Sequence, residues 1–191
     1  MDKKYIILVI VAILAIMGVG GYLTYQESQS QAYDNLIKKA DYAWMDAKAS
    51  FTQVDMENGT SLNNIQYIND SITFTDQAIA HTQEMVKIAP DNATKEFAMI
   101  RLEQYQESKK VMEYYLEIFE VLEKKGIDEA IKTATKLETQ LASSTQKLNN
   151  LQRRLIKLVN SNPALKTRLI NNLGEERVNE MLQKPEKTAA G

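Results

Sequence analysis

The one histidine of this 191-residue chain, His81, stands a helical turn before Glu84. A carboxylate-bridged di-metal bundle needs a Glu and His pair of that kind on each of two helices, and one His cannot supply two. A zinc site lacks ligands too, because the chain has no Cys. The absence of Cys also removes disulfides, a thiolate nucleophile and a lipobox-type anchor. A Ser-His-Asp triad finds no G-x-S-x-G elbow to present its nucleophile. After the apolar N-terminal stretch the glycines are Gly59, Gly126, Gly174 and Gly191, each isolated, so no phosphate-cradling loop exists. Glu120 and Glu123 have the spacing of any solvated helix face. These residues predict a protein that is not an enzyme, with no metal and no cofactor. Lys and Arg number 23 against 25 Asp and Glu, and a formal charge of −2 speaks against nucleic acid as a partner.

Softer chemistry remains. Thr75, Thr82, Lys109 and Ser144 fall on apolar seams, where they would form a polar interhelical layer able to line a small-ligand pocket. The competing expectation is that Thr and Ser bond back to their own helix, that Lys109 snorkels, and that the layer sets register. Tyr114 and Tyr115 are adjacent, so on a helix they point about 100° apart and cannot both face a bundle axis. They form a candidate partner surface, although with Tyr105 and Met112 they have the spacing of core residues. Asn58, Asn69 and Asn92 each begin an Asn-x-Ser/Thr sequon, the acceptor pattern for glycosylation outside the cytoplasm.

The elements that would carry these residues begin with "YIILVIVAILAIMGVGGYLTY", Tyr5–Tyr25, which holds no charge. As a helix it is roughly 31 Å long, enough to cross a bilayer core. Lys3 and Lys4 precede it, and no Lys or Arg follows until Lys38. Basic residues stay on the cytoplasmic side, so residues 1–4 are predicted inside and the remainder outside. The alternative is a secretory signal cleaved near Gly20, with Ile6–Met17 as its apolar region.

Beyond residue 25 the pattern is helical, in seams stepping by three and four. The fourth seam is the most regular: Ala130, Ala134, Leu137, Leu141, Ser144, Leu148, Leu151, Leu155 and Leu158. The breaks are short: Glu57–Ser61, Ala89–Asp91 and Lys124–Asp128, with Gly, Pro and capping Asp or Ser at the expected places. Such connections force neighbouring helices antiparallel. The predicted fold is all-α: a transmembrane signal-anchor over 5–25, then an elongated up-down-up-down four-helix bundle over 26–160. A short helical segment follows over 161–183, bent or broken near Gly174, and then a disordered tail over 184–191. In that topology Arg153, Arg154, Lys157, Lys166 and Arg168 lie near the bilayer, able to meet anionic head groups or to form an ordinary solvated face.

The stretch "YDNLIKKADYAW" (Tyr33–Trp44) is similar to the first-helix pattern of LemA-type membrane proteins, which carry one N-terminal span and an extracytoplasmic antiparallel bundle. Its Tyr-to-Trp spacing is shorter, the basic run after the Trp is missing, and the likeness covers one helix. The predicted bundle also resembles chemoreceptor sensor domains, without their second span or cytoplasmic relay. The function expected is that of a membrane-anchored interaction or structural module at a microbial cell surface, meeting an unidentified protein partner. The alternative is a small-ligand or sensory module that signals through a separate membrane partner. Protease added to spheroplasts should degrade everything after residue 25, detected with an antibody to the C-terminus; full protection of that part would reverse the orientation.

Overall fold

The computed structural model describes residues 3–55 and 63–184, with side chains from residue 27 onward. Among the described residues the chain forms six α-helices and no strand. They are α1 (Lys3–Phe51), α2 (Asn63–Ile88), α3 (Asn92–Lys125), α4 (Ile127–Ser161), α5 (Pro163–Leu173) and α6 (Glu175–Met181). Together they make a helical bundle.

The helix ends follow local chemistry. Pro90 lacks the N–H that would extend α2. Asp91 then caps α3, its carboxylate accepting from the Thr94 N–H at 2.8 Å while the Thr94 hydroxyl oxygen accepts from the Asp91 N–H at 3.3 Å. One residue, Gly126 at φ 85°, joins α3 to α4, a backbone state that L side chains rarely adopt. Asn162 caps α5 by accepting from the Leu165 N–H at 3.0 Å, with Pro163 in the first turn. Gly174, at φ 87°, separates α5 from α6. The segment predicted over 161–183 is therefore two helices.

Cross-helix bonds fix the directions. Asp55 and Asn64 bond reciprocally at 2.9 and 3.0 Å, and Ser71 donates to the Ala47 carbonyl at 2.8 Å, so α1 and α2 run antiparallel. Lys109 with Asp76 orders α3 against α2, and Gln104 with Gln152 and Glu107 with Ser144 order α4 against α3.

The core has two ends of different make-up. At the base, Tyr33 and Ile37 of α1, Met85 of α2 and Phe97 and Ile100 of α3 pack with Leu155, Leu169 and Val178 of α4, α5 and α6. At the distal end Val54, Ile68, Met112 and Phe119 pack with residues such as Phe51, Tyr115 and Leu122, and α4 contributes none. The helix pairs in extensive contact are α1 with α2, α2 with α3 and α3 with α4, while α5 touches both α1 and α4. The fourth seam is consequently divided. Ala130, Leu137, Ser144, Leu151 and Leu155 are buried, whereas Ala134, Leu141, Leu148 and Leu158 are half-buried.

α1 is one helix of 49 residues, so the boundary expected at residue 26 is not a break in the helix. The side chains of the expected span over 5–25 lie outside the described residues. Among the described residues no helix is long and apolar enough to cross a membrane. The loop Glu57–Ser61 and the tail from residue 185 also lie outside them.

Leu155 is fully buried and Ile131 is 58% exposed. Denaturant melts of the detergent-solubilised chain, followed by circular dichroism, should show Leu155→Ala losing about 2–5 kcal/mol and Ile131→Ala changing by no more than about 0.5 kcal/mol. Equal losses would contradict the burial of α4 at Leu155 and its exposure at Ile131.

Candidate functional site

A chain of polar side chains crosses the bundle interior just below its middle. It starts at Asp41, on the inner face of α1 between Ala40 and Ala43 and only 4% exposed. Arg177 of α6 grips it with two bonds, Nε to Oδ2 at 2.8 Å and a terminal nitrogen to Oδ1 at 2.9 Å. Arg177 also reaches Glu180 at 2.9 Å. Beside this pair lies Arg101 of α3, donating to Gln104 Oε1 at 2.9 Å and to the Tyr105 hydroxyl at 2.6 Å. Its guanidinium carbon sits 4.6 Å from the Tyr105 ring centre. Gln104 donates to Gln152, which donates in turn to the Met181 and Gln183 carbonyls, both at 2.8 Å. Burial pushes the Tyr105 hydroxyl pKa up, against the opposing pull of Arg101. A cavity of about 260 Å³ opens onto this network, walled by Trp44 and Lys48 of α1, Leu148 of α4 and Met181 of α6. The Trp44 and Tyr105 rings pack at 5.1 Å with 42° between their planes.

A second buried charge lies further along α3. Glu107 is 5% exposed and accepts from Ser144 at 2.7 Å, Lys147 at 2.8 Å and Lys110 at 3.1 Å. Burial alone would raise its pKa; the bonds from Lys147, Ser144 and Lys110 outweigh burial and hold it down at about 2.

The four residues of the expected polar layer each have a partner of their own. Thr75 donates to the Ser71 carbonyl at 2.8 Å and Thr82 to the Ala78 carbonyl at 2.7 Å, both within α2. Lys109 reaches outward to Asp76 at 2.7 Å, and Ser144 belongs to the Glu107 cluster. Of the four, Thr82 borders a void of about 10 Å³ shared with Asp41 and Arg101, and none lines the larger cavity. Tyr115 packs edge-on to Phe51 at 5.7 Å in the distal core. Tyr114 is half-buried and stands outside that cluster. Asn69 on α2 and Asn92 at the start of α3 are exposed, and Asn58 lies outside the described residues.

Of the basic residues expected near a bilayer, Arg153, Arg154 and Lys157 are exposed and Lys166 is half-buried. Arg168 instead turns inward to Asp34 at 2.6 Å and to the Ser30 carbonyl and hydroxyl at 2.9 and 2.7 Å, over the Tyr33 ring. Tyr33 is fully buried and donates to the Thr94 carbonyl at 2.6 Å. His81 is half-buried, and burial, then the charge of Lys39, lowers its pKa. Among the described residues no three His, Cys, Asp or Glu side chains converge as metal ligands would.

The Asp41, Arg101 and Arg177 network was not among the candidates from sequence. Its trace there is a second stripe on α3, Phe97, Ile100, Arg101, Gln104 and Glu107, beside the apolar one. Both stripes are buried because α3 packs on α2 and on α4. No protein-family model, curated protein or solved structure matches the chain. The likeness of Tyr33–Trp44 to LemA-type proteins therefore stays a likeness of one helix.

The sign of the Glu107 effect follows from its lowered pKa. Its contribution to stability is complete above the unfolded value near 4.5 and is lost as pH falls through about 2. The stability difference between the unaltered chain and Glu107→Gln, from urea melts at a series of pH values, should shrink over that window. A difference that stays constant across it would refute the assignment.

Proposed function

We propose that this protein is a single-pass, membrane-anchored interaction module of a microbial cell surface. Residues 5–25 act as the signal-anchor, the N-terminus stays inside, and the elongated antiparallel four-helix arrangement of α1–α4 stands outside. It works by contact rather than by catalysis.

The supporting observation is the open distal half of α4. Ile127 and Ile131 are 66% and 58% exposed. Ile127, Ala134, Leu141 and Leu148 recur every seven residues, so they form one line along an under-wound helix. Leu148 shares a cavity with Trp44 and Lys48, which turns this line toward α1. At the base the space between α1 and α4 holds α5, with α6 packed beside it, and Leu165, Leu169, Val178 and Met181 are buried there. The chain's own helices thus fill the space between α1 and α4 at one end. Its distal continuation suits an amphipathic helix of a partner protein, laid along the side of the bundle.

A photo-crosslinking residue placed at Ala134 in intact cells should yield a discrete adduct larger than the chain. Ile127→Glu with Ile131→Glu should reduce that adduct about tenfold, a loss of ~1.4 kcal/mol from the pair together, while helicity stays unchanged. An adduct indifferent to both charges would exclude this face. An adduct of twice the chain's own mass would replace the partner with a second copy.

A further inference from the structure

Arg101 makes no ion pair of its own among the described residues, in a place where that is costly. It is 7% exposed, and its hydrogen-bond acceptors, Gln104 and the Tyr105 hydroxyl, are neutral. The two other inward guanidiniums each have a carboxylate: Arg168 has Asp34, and Arg177 has Asp41 and Glu180. Among the described residues no carboxylate makes an ion pair with Arg101, and Arg177 bonds both oxygens of the nearby Asp41. A guanidinium carries five N–H donors, and the bonds to Gln104 and Tyr105 use two of the Arg101 set. Its Nε makes no bond, yet no buried side-chain nitrogen lacks a partner among the described residues, so Nε retains access to solvent. That access is consistent with the 260 Å³ cavity, which Arg101 lines.

The cavity's charge and walls select a ligand. Arg101, Arg177 and Lys48 line it against one carboxylate, Glu180, which Arg177 already holds at 2.9 Å. Trp44, Leu148 and Met181 add apolar surface, and Ser108, Asn149 and Gln152 add neutral polar groups. At about 260 Å³ the cavity has room for a small molecule. A guanidinium fork matches a carboxylate in plane, and apolar walls leave a fully hydrated inorganic anion without partners. We infer that this cavity binds a small organic carboxylate, with the carboxylate on Arg101 and an apolar body against Trp44, Leu148 and Met181. The inference does not rest on the partner-docking proposal.

Trp44 is the only tryptophan in the chain and lines this cavity, so its emission responds to what binds there. Titration of the full chain in detergent should use isovalerate and phenylacetate, their neutral amides, and inorganic phosphate. Both acids should shift Trp44 emission saturably, and each amide should bind about tenfold more weakly or worse, since it cannot pair with the guanidinium. Arg101→Gln should weaken the acids about tenfold and Arg101→Lys less, while Lys109→Gln leaves them unchanged. Equal affinity of acid and amide would overturn the assignment, as would no response to either acid. Phosphate binding as tightly as the acids would replace the organic carboxylate with a free inorganic anion. If Arg101→Gln does not fold, the acid and amide comparison on the unaltered chain still decides the matter.

Discussion

The two bonds from Arg177 to Asp41 join α6 to α1 across 136 residues of chain, and much of the architecture depends on them. Both side chains are largely buried, at 15% and 6% exposure. Such a pair adds little net stability over a well-packed apolar one. Removing one partner leaves the other charge buried and unpaired, at a cost of about 3–5 kcal/mol. Its main effect is to specify position. α6 is only seven residues long and would not hold a helix unaided. Fixed at Asp41, it carries Val178 and Met181 into the base core, and α5 is held between α1 and α4. The same contact places Met181 at the wall of the cavity and its carbonyl where Gln152 can donate to it.

α3 is the other organising element, since it packs against both α2 and α4. A helix with two buried faces has little freedom to place its polar residues in water. Glu107, Gln104 and Arg101 are therefore inside, and each must find partners there. Glu107 finds two lysines and a serine, and Gln104 finds Gln152. Arg101 finds neutral groups and a ring, while Asp41 serves α6.

The helices from α2 onward and the turns between them were legible because they rest on local chemistry. Gly126, Asp91, Pro90 and Gly174 set the breaks through backbone preference and capping, which a sequence displays directly. The division of the α4 seam was not legible. Leu137 and Leu141 look alike in sequence, and only the absence of α1 beside distal α4 leaves one buried and the other half-buried. The interior network was hidden for a related reason. Asp41 and Arg177 are separated by most of the chain, and each resembles a residue on a solvated face. Thr75 and Thr82 could be placed inside but not together, because a hydroxyl that bonds back within its own helix needs no neighbour. Arg168 could be placed near the base, but its turn inward depends on Asp34 and Ser30 of a helix more than 130 residues away.

The 49 unbroken residues of α1 span about 73 Å at the helical rise. None of the chain's three prolines falls in it, so it has no proline to act as a hinge. In the proposed anchored orientation this one continuous helix is a lever whose fulcrum lies in the bilayer. Residue 15 and Trp44 are ~43 Å apart along it, so a tilt of about 5° at the fulcrum carries the indole roughly 4 Å sideways. Asp41 is bonded to α6, Ala47 to α2, and Trp44 packs on Tyr105 of α3, so the bundle would travel with the indole as one body. The bearing of the exposed α4 face over the bilayer and the angle of the N-terminal stretch would then be a single mechanical variable.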